Sequence, residues 1–300
     1  MGRRLDFLRI VPSPGAATGL LVLGAACWGT TFPAAKEGFA IMGLFAFMAW
    51  SRIIGFLTLA PFAAGIPARE WRRAGPIGAL LGVLLYLAYL FQSLGLERTS
   101  ATNAGFLTGL YVVGTPVLGA LLYRRWPERR VLGAVALSTL GLALLSVEAW
   151  SFAPGDALVL VSVLFWSLQI LLVGRASHLD PMVLILVELG VAAMLHVATA
   201  LGDMHAALLP EVWGLLVLTG ALGTGLGYFV QIIAQRRVHP TRTAIIYTSE
   251  PLFAALFSMA WLGERLTGRG WLGAGLIVVA MLVAEVGAAR RLVAESGSPI

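Results

Sequence analysis

Ten apolar runs dominate the chain, near residues 16–35, 42–64, 74–95, 101–122, 131–148, 156–174, 181–201, 211–234, 242–262 and 269–288. Each approaches the roughly 20 mostly apolar residues that a helix needs to cross the hydrocarbon of a bilayer. Inside lipid the backbone must satisfy its own hydrogen bonds, which leaves helices or closed barrels, and barrel strands are short and alternate apolar with polar residues. These runs do not alternate. With 59% hydrophobic and 12% charged residues, the chain holds more apolar surface than a soluble core of its size requires. The expectation is an all-α membrane protein of ten transmembrane helices.

The formal charge of +6 raises nucleic acid as a partner, but the placement of the basic residues argues for the lipid bilayer and no nucleic acid. With the N-terminus in the cytoplasm, the inner segments carry Arg3, Arg4, Arg9, Arg69, Arg72, Arg73, Arg124, Arg125, Arg129, Arg130, Arg175, Arg236, Arg237, Arg242, Arg290 and Arg291, sixteen in all. The outer segments carry four, Lys36, Arg98, Arg265 and Arg269, and Arg52 alone lies within a span. Cytoplasmic segments are the ones enriched in Lys and Arg. The split therefore predicts a multi-pass protein of the plasma (bacterial inner) membrane with both termini cytoplasmic. No cleavable signal peptide is expected, because the first run is full length and nine more follow. Cys27, the only cysteine, excludes an intrachain disulfide. No HExxH, CxxC, P-loop or GxSxG is present, so no metal, no cofactor and no enzyme activity are expected.

Sliding the chain against itself by 140 residues lays "ATNAGFLTGLYVV…YRRWPERRVLGA" (101–134) over "TRTAIIYTSEPLF…WLGERLTGRGWLGA" (241–274) without a gap. Identities include Ala104/Ala244, Thr108/Thr248, Leu122/Leu262, Arg129/Arg269 and Leu132-Gly133-Ala134/Leu272-Gly273-Ala274. At an offset of 139, Tyr89 and Gln92 meet Tyr228 and Gln231, and at 138 Trp28 meets Trp166. Ordered identities at one offset mark an internal repeat, here 1–150 and 151–300. Each copy has five spans, an odd number, so the second enters the membrane from the other side. Two inverted five-helix repeats around a central cavity are the architecture of secondary transporters that work by alternating access.

The segments "CWGTTFPAAK" (27–36), Arg52 in the second span, "FLTGLYVVGTP" (106–116) and "YTSEPLFAALFSMAWLGERLT" (247–267) resemble the EamA-type exporters of the drug/metabolite transporter superfamily. Among them the chain is similar to the bacterial exporters of amino acids and metabolites, aromatic amino acids included. The likeness runs through all ten spans, and Glu250-Pro251 with Gly263-Glu264-Arg265 carries its most specific part. The fourth span departs, ending "YRRWPERR" where the ninth keeps its GER ending. The resemblance implies ten helices around a cavity and efflux of small metabolites.

Polar side chains inside lipid turn towards protein or water, so helical faces locate the cavity. At about 100° per residue, Thr224, Tyr228, Gln231 and Gln235 share one face of span eight, Thr243, Tyr247 and Glu250 one of span nine, and Thr108, Tyr111 and Thr115 one of span four. Tyr86, Tyr89, Gln92 and Ser93 form a looser set on span three. Trp28 and Trp166 lie inside their spans, with Gln169 one turn beyond Trp166, and are expected in the site. Trp50, Trp71, Trp126, Trp150, Trp213, Trp261 and Trp271 sit near span ends, as interfacial anchors do. Pro33 frees a backbone carbonyl one turn earlier, near Gly29, and Thr30 and Thr31 are placed to satisfy loosened backbone groups or to meet water. Lys36 snorkels at the outer mouth or attracts anions. The pairs Gly78/Gly82, Gly105/Gly109 and Gly223/Gly227 predict close helix packing. Arg52 and Glu188, at comparable places in spans two and seven, are expected to pair with each other or with a nearby partner, because an unpaired buried charge is costly; a structural ion pair is favoured over direct substrate binding. His196, two turns further along span seven, reads as an interior histidine.

The residues expected to bind substrate are thus Trp28, Tyr86, Tyr89, Gln92, Tyr111, Trp166, Gln169, Tyr228, Gln231, Tyr247 and Glu250. Aromatic faces and amides suit a small amphipathic molecule, foremost a neutral or aromatic amino acid. A lipophilic cation drawn to Glu250 is the alternative. A nucleotide sugar or sugar phosphate fits less well, because only Arg52 is a deep cation. No cluster of carboxylates suited to sodium is visible, so transport down the substrate gradient is expected. The oligomeric state stays open, a monomer being one option.

Overall fold

Several helices begin where a polar side chain sits just ahead of a proline that fits the first turn. Ser13 Oγ accepts from Ala16 N at 3.3 Å, Asp180 Oδ1 from Met182 N and Val183 N at 3.0 and 3.1 Å, and the His239 ring nitrogen from Thr241 N at 3.3 Å. Each cap satisfies amide donors that a helix start leaves free, and Pro14, Pro181 and Pro240 follow in turn. A computed structural model describes residues 12–99, 101–146, 153–200, 204, 210–262 and 265–296. Arg3, Arg4, Arg9, Trp150, Gly263 and Glu264 lie outside them, as do the side chains of Trp261, Glu285, Arg290 and Arg291.

The regular elements among the described residues are all helices, with no strand. In order they form α1 (Pro14–Gly29), α2 (Thr31–Met42), α3 (Leu44–Leu59), α4 (Ala68–Leu96), α5 (Ala101–Gly109), α6 (Tyr111–Tyr123), α7 (Arg129–Ser146), α8 (Asp156–Arg175), α9 (Pro181–Thr199), α10 (Trp213–Val217), a π-helical segment (Leu218–Leu226), α11 (Gly227–Ala234), α12 (Pro240–Tyr247), α13 (Glu250–Leu262) and α14 (Gly268–Ser296). Four of the expected spans are interrupted: α1 and α2, α5 and α6, α10 to α11, and α12 and α13 each continue one rod. Gly43, at φ 82, supplies the left-handed turn between α2 and α3 that only glycine adopts freely.

Among the described residues, seven helical stretches are long and apolar enough to cross a membrane: Pro14–Met42, Leu44–Ala63, Ala68–Leu96, Ala104–Tyr123, Asp156–Arg175, Pro181–Thr199 and Pro210–Ala234. Gly268–Ala284 is apolar but shorter. Of the remaining expected spans, α7 must count Arg129 and Arg130 within its 18 residues, and the ninth is split at Thr248–Ser249 into pieces of 8 and 13 residues.

Helix packing follows an exchange rule. α4 packs on α8 and on α9, as α11 packs on α1 and the π segment on α3; α6 packs on α8 as α13 packs on α1; α3 meets α9, and α7 meets α14. The last contact has no spare room. A Cβ on Gly141 would lie 2.8 Å from Gly273 O, and one on Gly273 would lie 2.5 Å from Gly141 O. At its ends Arg130 Nε donates to Val283 O (3.1 Å) and Arg269 Nη2 to Ala143 O (3.4 Å). Elsewhere Gly78 and Gly82 face Val187 and Val191 of α9, Gly223 and Gly227 face Thr31 and Trp28, and Gly109 faces Leu142, as close packing requires. Gly105 is the exception, with no described atom within 4 Å of its Cβ position.

Candidate functional site

Breaks in the helices turn side chains and carbonyls towards the middle of the bundle. The first rod bends at Thr30, where Thr30 Oγ1 donates to Cys27 O at 2.7 Å and Thr31 Oγ1 to Trp28 O at 2.8 Å. Both hydroxyls therefore bond backbone carbonyls at the break, those of Cys27 and Trp28 rather than that of Gly29. The ninth rod uses the same device: Thr248 and Ser249 donate to Ile245 O and Ile246 O at 2.6 and 2.7 Å. Gly29 lies against this second break, where a Cβ would meet Glu250 O at 2.7 Å.

Between the rods lies a cavity of about 790 Å³, counting the space at its mouth. Ten of the expected residues line it: Trp28, Tyr89, Gln92, Tyr111, Trp166, Gln169, Tyr228, Gln231, Tyr247 and Glu250. Tyr86 does not; its ring packs edge-on against His196 at 4.8 Å. The sequence reading missed Phe32, Phe39, Phe47 and Met48, which also line it and which carry no signal that separates them from lipid-facing apolar residues. Ala35, Phe39, Phe47 and Leu96 carry the cavity towards the end of the bundle that holds Gly43 and Glu97.

An aromatic layer forms its middle. Tyr228 OH and Tyr89 OH, the pair matched by the 139 offset, hydrogen-bond at 2.9 Å. Trp166 packs on Tyr89 with centroids 4.9 Å apart, and Trp28 packs on Tyr228 at 5.1 Å. Trp28 also meets Tyr247 at 4.8 Å and donates from Nε1 to Gly223 O at 2.7 Å. Tyr111 OH donates to Tyr247 O at 3.0 Å and stands 3.5 Å from Glu250 Oε2.

Amides make a second layer. Gln231 Nε2 donates to Gln169 Oε1 and Gln235 Oε1, both at 2.9 Å, and Gln235 Nε2 to Ile170 O at 2.9 Å. Gln92 Nε2 donates to Thr108 Oγ1 at 2.9 Å. Gln169 Nε2 in turn donates to Glu188 Oε1 at 2.9 Å. The expected Arg52–Glu188 ion pair is therefore not made. Glu188 is fully buried and held by an amide, while the Arg52 guanidinium lies over the Tyr89 ring, 3.7 Å from its centroid. Among the described residues no ion pair joins them. Arg69 and Glu70, adjacent near the start of α4, form a salt bridge at 3.0 Å. The described residues also hold no cluster of three potential metal ligands.

The model of the EamA-like transporter family matches residues 16–147 and again 153–285. The chain belongs to the EamA-like transporter family. It is thus a small-molecule transporter of the drug/metabolite superfamily, embedded in a membrane, and not an enzyme. A relative described as an uncharacterized transporter of Archaeoglobus fulgidus is 31% identical over 89% of this chain and 84% of its own. The threonine/homoserine exporter RhtA of Salmonella typhimurium is 32% identical over 68% of each chain. That of Escherichia coli K12 is 29% identical over the same shares. A solved crystal structure matches with a TM-score of 0.75 at 20% identity, over 93% of this chain and 99% of that one, a likeness of fold alone.

Proposed function

We propose that this EamA-like transporter exports small amphipathic metabolites, foremost neutral or aromatic amino acids, by alternating access of two inverted five-helix repeats (1–150 and 151–300). The observation that carries the reading is the cavity wall, where the rings of Trp28, Tyr89, Trp166 and Tyr228 stand next to the amides of Gln92, Gln169 and Gln231 and the carboxylate of Glu250. Aromatic faces accept an apolar side chain, while amides and a carboxylate accept the polar ends of an amino acid. The exchange rule in the helix packing supports two repeats, and the similarity to threonine/homoserine exporters supports amino acid cargo. Ten crossings, both termini in the cytoplasm and a bacterial inner membrane location belong to the same proposal and rest on the charge split. On that orientation the cavity leads outwards.

A lipophilic cation is the second reading, favoured by Glu250 lying beside Tyr111 and among aromatic rings. Counterflow in proteoliposomes separates the two. Phenylalanine, threonine and homoserine should exchange without an imposed pH gradient, and Gln92→Leu or Gln231→Leu should slow them while folded yield holds. Flux of a quaternary ammonium dye with no amino acid exchange would transfer the function to the second reading. No exchange of either would sink both.

A further inference from the structure

Arg52 lacks the partner that its burial demands. It is 3% exposed, and its Nε and Nη1 are buried with no hydrogen-bond acceptor among the described residues. A cation taken out of water is costly unless paired, and contact with a ring face recovers only about 2 kcal/mol of that. Glu188 does not supply the partner: its Oε1 accepts from Gln169 Nε2, which is itself tied to Gln231, and its Oε2 is buried with no partner among the described residues. Yet Arg52 is not free to swing. Tyr89 lies under its guanidinium at 3.7 Å, and Tyr89 is itself fixed by the Tyr228 hydroxyl and the Trp166 ring. The side chain is a held cation that lines the cavity, the only Lys or Arg among the described residues that do so.

Resting on the amino acid reading, we infer that Arg52 is the carboxylate-binding residue of the transport site. The substrate's carboxylate supplies the negative charge that the protein withholds, and the charge-assisted hydrogen bond forms in a setting shielded from water, where such bonds are strongest. A carboxylate matches one guanidinium in charge. A phosphate dianion would call for further cations, and the described residues of the cavity wall supply none. Substrates of this site are therefore monocarboxylates with an apolar or small polar remainder, and decarboxylated amines are excluded. Arg52 also joins α3 to α4 by its contact with Tyr89 and, through the Tyr89–Tyr228 hydrogen bond, to α11, so a carboxylate held by Arg52 is linked indirectly to both halves of the bundle.

The test pairs a change in the ligand with a change in the protein. Purified protein in nanodiscs is titrated with phenylalanine, phenylalaninamide and threonine, using thermal stabilisation and tryptophan fluorescence, and counterflow is measured for the same set. Wild type should bind the acid at least about tenfold more tightly than the amide, the scale of one charge-assisted hydrogen bond. In Arg52→Gln that preference should vanish, and Arg52→Lys should keep part of it. The wild-type acid-to-amide ratio needs no variant to fold. An equal affinity for acid and amide in wild type, or an unchanged ratio in Arg52→Gln, would overturn the assignment while leaving the exporter intact. Failure of wild type to bind or exchange any amino acid would remove both.

Discussion

Trp28 and Trp166 are matched by the repeat and face matched tyrosines, but they stand on unlike helices. Trp28 ends α1 beside a break, and its indole N–H is bonded to Gly223 O in the π-helical segment. Trp166 lies inside α8, twenty residues without interruption, and its indole nitrogen has no partner among the described residues. The breaks near Leu110 and Thr248 correspond by the repeat offset. Those at Thr30 and Leu218–Leu226 have no counterpart in α8 or α4. The aromatic layer is thus close to symmetric while the backbone around it is not. If two repeats trade conformations during transport, this asymmetry is what they trade, with the interrupted helices on one side of the layer and the continuous ones on the other.

The comparison is tested most severely at the amide layer. Gln169→Leu takes the donor from a fully buried carboxylate and should cost about 3 kcal/mol of stability, read by denaturant unfolding in detergent. Glu188→Gln in the same chain should restore most of the loss; a Gln169→Leu protein as stable as wild type would mean that the amides do not hold Glu188. The next effect is at the break in the first rod. Gly29→Ala presses a methyl onto Glu250 O and should cost about 1–3 kcal/mol, whereas Gly105→Ala, in open space, should change stability by no more than about 0.5 kcal/mol. Equal losses would mean that the close contact between the first and ninth rods is not real. The smallest effect separates the tryptophans themselves. Trp28→Phe forfeits one hydrogen bond, about 1 kcal/mol, and Trp166→Phe forfeits none. Matching shifts in melting temperature would erase the distinction.

Much of the site was legible because polar residues in greasy helices stand out. Tyr228, Gln231, Tyr247 and Glu250 were placed by helical angle alone, and all four line the cavity. Angle does not report depth, however. Tyr86 shares the general face of Tyr89 one turn away, and there the neighbour is His196 of α9 rather than open space. Arg52 and Glu188 show a second limit: the sequence reveals that two charges share a level, but not that Gln169 reaches Glu188 first. The apolar lining, Phe47 and Met48 among it, was invisible because cavity, core and lipid all accept the same residue types. Helix count is blurred for a related reason. A rod interrupted by Thr248 and Ser249, or one that opens on two arginines, stops resembling a plain apolar span even where the chain continues.

The seam between α7 and α14 has a further consequence. The two arginine contacts nearly mirror one another: their acceptors, Ala143 and Val283, are 140 residues apart and their donors, Arg130 and Arg269, 139. The glycine contact has no such mirror. At the same offset Gly141 corresponds to Met281 and Gly273 to Gly133, and no described atom lies within 4 Å of a Cβ on Gly133. An isologous contact needs both members of each exchanged pair, so the ends of this seam keep the symmetry of the repeat while its middle locks two unlike faces together.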